Sequence, residues 1–116
     1  MIPGPVGAMA GAVPAEPVEF DWPSVTLVPL GWGVPHQTLI TNAGDASGRL
    51  FLLQQEGKIW IVTDNQIQEQ PFLDISDRVT CCGEQGLLSL AFPPDLAISG
   101  VFYVFYTRND GYSVVA

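Results

Sequence analysis

Basic side chains are scarce in this chain: four Lys and Arg stand against twelve Asp and Glu, for a formal net charge of −8 at pH 7. The phosphate field of a nucleic acid or an anionic membrane surface repels such a protein, which excludes both as principal partners. Arg49, Lys58, Arg78 and Arg108 are dispersed singly and make no phosphate-binding cluster. His36 is the sole histidine, and the two cysteines are adjacent, with no second pair to complete a zinc-type ligand set. No apolar run approaches the roughly 20 residues of a membrane-spanning helix, so the chain is expected to be soluble and not transmembrane. No P-loop, Rossmann fingerprint or Ser-His-Asp set is present either.

What is present is β-forming sequence punctuated by glycine. Hydrophobic residues make up 47% of the chain and charged residues 14%, which argues against overall disorder. Gly44-Asp45-Ala46-Ser47-Gly48 is followed by Arg49-Leu50-Phe51-Leu52-Leu53-Gln54-Gln55, then Glu56-Gly57, then Lys58-Ile59-Trp60-Ile61-Val62. A strand, a two-residue Glu56-Gly57 turn and a second strand predict a hairpin. Thr38 to Thr41 reads as the preceding strand, with a tight loop from Asn42 to Gly48. Downstream come Pro71 to Val79, Gly83 to Asp95, and the aromatic run Val101-Phe102-Tyr103-Val104-Phe105-Tyr106-Thr107. The order leaves no room for a helix. Apolar residues on both faces of 58–62 and 102–106 predict strands packed on each side, and the aromatic run reads as core rather than as a sugar-stacking platform.

These runs, in this order and spacing, resemble the soluble PQQ-dependent sugar dehydrogenases, the glucose/sorbosone dehydrogenase family, over residues 34 to 116. The resemblance implies an all-β fold, the N-terminal portion of a six-bladed β-propeller. At roughly 40 to 50 residues per four-stranded blade, the chain holds under two blades. It also implies a PQQ-dependent oxidoreductase that oxidises aldose sugars at C1 to lactones, with PQQ and Ca²⁺ as cofactors. The partners would be a small-molecule sugar substrate and an electron acceptor, and the location extracytoplasmic, periplasmic or secreted. No catalytic residue matches within the chain: the family's base is expected downstream of Ala116, so these residues alone are expected to be inactive. The alternative is a non-catalytic propeller binding module of the Hedgehog-interacting-protein type, because the same fold serves both.

The resemblance places Glu84, with Gln85 beside it, at the cofactor end, as a group that hydrogen-bonds and orients the quinone. Flanked by Gly83 and Gly86, the pair reads equally as a polar rim turn. Cys81 and Cys82 form either a vicinal disulfide or two free thiols, both favoured over half of a metal site. His36 is expected to be structural. Pro93-Pro94 stiffens a loop where many relatives carry His-Pro, and Asp95 closes a turn.

The N-terminal residues 1–18 are rich in Pro, Ala and Gly and lack the basic start of a signal peptide, so they are expected to be disordered. The propeller part is expected over 19–116, truncated at its C-terminus, with a short edge strand over 19–30. The isolated chain is expected to lack independent stability, because its strand edges stay open.

Overall fold

The computed structural model describes residues 13–116. Of the segment 1–18 expected to be disordered, positions 1–12 lie outside the described residues. Residues 13–30 form no helix or strand, which corrects the expected edge strand over 19–30. Pro23 and Pro29 carry no N–H for a ladder. The segment's apolar side chains are exposed: Trp22 is 80% and Leu27 92% accessible.

The first sheet is built from β1 (Gln37–Asn42), β2 (Leu50–Gln54), β3 (Lys58–Thr63), β4 (Gln66–Ile67) and β5 (Leu73–Asp74). All its pairings are antiparallel, in the order β1-β2-β3, with β4 and β5 sharing the outer edge of β3. That edge thus holds one interrupted fourth strand, and two backbone bonds, Gln68 N–H to Ile61 O and Phe72 N–H to Ile59 O, flank the interruption. Pro71, which carries no N–H, sits in the break.

The second sheet is β6 (Leu87–Ala91), β7 (Tyr103–Thr107) and β8 (Ser113–Val115), again antiparallel and in that order. One short helix, α1 (Leu96–Ser99), joins β6 to β7, a correction to the expectation of no helix. Asp95 stands at its N-terminus without a side-chain capping bond, and Gly100 ends it in the left-handed conformation. The turn expected of Asp95 is therefore a single turn of helix. No helix among the described residues is long and apolar enough to cross a membrane.

Strand pairing sets the core. Phe51 faces Ile61 and Leu53 faces Ile59 across β2 and β3, so these four side chains share one face. They meet Leu87, Leu90, Val104 and Tyr106 from the second sheet, and Val79 from the segment before it, in a single buried cluster. Leu52 points to the opposite face of β2 and is also fully buried. A strand buried on both faces lies between layers, as blades of a propeller do. Each fully buried Leu, Ile or Phe contributes about 1.5–3 kcal/mol by leaving water. The aromatic run is only partly core: Val104 and Tyr106 are buried, whereas Tyr103 is 48% exposed.

The loop geometry differs from the sequence expectation in one place. Gln54 pairs with Lys58, so the β2–β3 connection is the three residues Gln55, Glu56 and Gly57 rather than two. Gly57 has φ +116, and a Cβ there would lie 2.8 Å from the Ser76 Cα. The extra residue lets the turn close while Gly57 passes flush against the chain at Ser76.

Candidate functional site at the turn before β6

Where the two sheets meet, the β2–β3 loop packs against the segment that leads into β6. Gln55 is the joint. Its carbonyl accepts the Leu87 N–H at 2.8 Å, and its side-chain Nε2 donates to Gly83 O at 2.7 Å and Gln85 O at 2.9 Å. Gly86 carries the other half: its carbonyl accepts the Thr107 N–H, and its own N–H reaches Thr107 Oγ1 at 3.3 Å. Thr38 Oγ1 donates to Leu87 O at 2.8 Å, tying β1 to the same point. A short bridge between Cys82 and Gln85 closes the turn.

On this frame Cys81 and Cys82 are joined as a disulfide, one of the two forms left open by adjacency. A carboxylate oxygen of Glu56 and the two sulfurs lie within 4.8 Å of one another. His36, just ahead of β1 with φ +50, donates from Nδ1 to Glu56 Oε1. That hydrogen bond holds the Glu56 carboxyl below the usual carboxylate range, with the Glu56 backbone N–H helping. The second oxygen, Oε2, is shielded from solvent and has no hydrogen-bond partner. The sequence reading placed His36 in a structural role, and its contact is with a loop carboxylate. Glu56 it treated only as a turn residue, because the partners come from segments 20 and more than 20 positions away.

Glu84 and Gln85 are exposed, as are Cys82 and Gly83. The inward-facing polar groups of this turn, the carbonyls of Gly83 and Gln85, are already engaged by Gln55.

An apolar cavity of about 370 Å³ lies at the other end of the strands, lined by Phe51, Phe72, Phe92 and Phe102 with Asp45 and Arg49 at its rim. The Phe51 ring sits 4.7 Å from Phe92 and 5.2 Å from Phe72, centroid to centroid. Because β6 begins at the Glu84 turn and ends next to Phe92, cavity and turn are separated by the strand's length, roughly 15 Å at about 3.3 Å per residue. Arg49 binds Asp45 at 2.9 Å, and Asp45 also accepts from Ser47; the Ser47 hydroxyl and N–H, then Arg49, lower its pKa to about 2.

Antiparallel sheets, strands buried on both faces and a four-stranded first unit make this chain part of a β-propeller. Its relatives agree with that class. The chain is 44% identical over 74 residues to the human Hedgehog-interacting protein, covering 60% of this chain and 11% of the relative. It is 39% identical over 83 residues to the mouse Hedgehog-interacting protein, covering 67% and 12%. To the HIPL2 protein of Arabidopsis thaliana it is 35% identical over 71 residues, covering 53% and 10%. The chain thus spans about a tenth of the length of the relatives it matches. No protein-family model matches it. The expectation of a PQQ-dependent aldose dehydrogenase is corrected by these similarities: the human and mouse relatives are named for an interaction with a Hedgehog protein, not for an oxidation. The resemblance misled because the strand and turn motifs that carry it specify propeller blades, and blades serve catalytic and binding proteins alike.

Proposed function

We propose that this chain supplies blade structure to a non-catalytic, extracellular β-propeller that binds another protein. The observation that carries this reading is the 44% identity over 74 residues to the human Hedgehog-interacting protein. The partner this suggests is a protein of the Hedgehog type. A surface with formal charge −8 favours a partner whose contacting face is neutral or cationic. The role of these residues is architectural: the Gln55–Gly86 joint fixes one blade against the next, and the loops at either end are what a partner meets.

The test is direct binding of the full-length protein to an immobilised Hedgehog-type protein, measured as a function of ionic strength. Saturable binding that weakens with added salt is the expected result. A folded full-length protein that does not bind overturns the partner. PQQ-dependent turnover of an aldose by the same preparation overturns the non-catalytic reading.

A further inference from the structure

The group formed by Cys81, Cys82, Glu56 and His36 has a use that blade packing does not require. Thiolate, carboxylate and imidazole are the ligand types of zinc-class cations. Here two sulfurs and a carboxylate oxygen already lie within 4.8 Å of one another. Ligands at about 2.0–2.3 Å from a tetrahedral zinc stand roughly 3.3–3.8 Å apart, so the bonded sulfurs must part to that distance on reduction, with the Glu56 oxygen already beside them. Glu56 Oε2 is the second observation. A carboxylate oxygen withdrawn from water and given no donor is costly unless a cation completes it; the Glu56 side chain is 37% exposed overall, but its Oε2 is shielded and has no hydrogen-bond partner.

The geometry points to a redox-gated metal site: we propose that Cys81 and Cys82, once reduced, bind one thiophilic divalent cation together with Glu56. His36 acts as a positioning residue, because its Nδ1–H holds the other carboxylate oxygen. The oxidised pair cannot serve, since both sulfurs are committed to each other. Reduction by an external dithiol breaks the Sγ–Sγ bond; the reductant leaves as its own disulfide, and its two protons end on the two cysteine sulfurs. Metal binding then displaces those protons. The frame for the site is already built, because Gln55 ties the loop bearing Glu56 to the turn that follows Cys82.

Co²⁺ is the probe, since its thiolate complexes absorb where the free ion does not. The protein is reduced with a dithiol, desalted without oxygen and titrated, with far-UV circular dichroism recorded throughout. Reduced protein is expected to bind one equivalent with a thiolate-to-cobalt band that Zn²⁺ abolishes, and oxidised protein to bind none. Glu56→Gln and His36→Ala are each expected to weaken binding about 10-fold or more. The Cys81→Ser, Cys82→Ser double variant is expected to bind none. Equal affinity of oxidised and reduced protein overturns the proposal, as does a Glu56→Gln variant that binds as tightly as the parent. Should reduction unfold the chain, recovery of the β spectrum on adding Co²⁺ supports the site, and failure to recover it refutes it.

Discussion

Gly86 and Gln55 touch so closely that position 86 admits no larger residue: a Cβ on Gly86 would lie 2.5 Å from Gln55 Cγ and 2.6 Å from its carbonyl oxygen. Gly86 also has φ +147, which side-chain-bearing residues rarely adopt. Gly86→Ala is therefore expected to cost about 2 kcal/mol or more, through the conformation and through separation of the two sheets. Gly83→Ala is the control. Its φ is +73 but nothing lies within 4 Å of its Cβ direction, so only the left-handed conformation is penalised, at about 1 kcal/mol. Urea melts of the two variants measure the difference, and equal losses would remove the clash from the account.

Gln55→Ala deletes two side-chain bonds to the turn carbonyls while leaving the backbone bond to Leu87 in place. A cost of about 1–2 kcal/mol is expected, with the turn at 83–85 exchanging its amide protons faster. Glu84→Ala, at an exposed position in the same turn, is expected to stay within about 0.5 kcal/mol of the parent. Hydrogen exchange and chemical denaturation together separate the two.

Asp45 gives the loop ahead of β2 an acid dependence. Its folded pKa, about 2, is below the ordinary 3.8, chiefly because Ser47 donates to it. A depressed carboxylate pKa contributes stability that is present above the unfolded value and is lost as pH falls through the folded one. The loss is expected between about pH 4 and pH 2, and Asp45→Asn should flatten that part of the curve of melting temperature against pH. An unchanged slope would assign the acid response to other carboxylates.

Phe51 is 1% exposed and its ring contacts Phe72 and Phe92. Phe51→Ala is expected to destabilise by about 3–5 kcal/mol, against about 1 kcal/mol or less for Tyr103→Ala, whose side chain is nearly half exposed. Melts of both variants check the ranking.

Protein recovered from an oxidising compartment is expected to resist alkylation until reduced, and then to take two labels, one each on Cys81 and Cys82. Intact mass before and after reduction decides it, and two labels without reductant would contradict the bonded pair.

Most of the strands were legible locally. The apolar run at 50–54, the apolar and β-branched run at 58–62 and the aromatic run at 101–107 predict β2, β3 and β7. The Asp64-Asn65 turn passed unread. Both residues have positive φ, joining β3 to a two-residue β4, and their short polar side chains, tolerant of that region, were the available signal. The segment 19–30 misled because a strand exists only where another backbone offers hydrogen bonds, and its composition cannot say whether one does.

The amino-acid sequence by itself determined the β class, the places where the chain turns and the adjacency of Cys81 and Cys82, since each follows from residue type and from spacings of a few positions. Only the tertiary structure decided that His36, Glu56 and the cysteine pair stand together, that Gln55 locks onto the turn at 83–85, and that the aromatic cavity opens at the opposite end of β6. Those contacts join residues 20 to 40 or more positions apart, and the register between antiparallel strands, not any local preference, sets which of them meet.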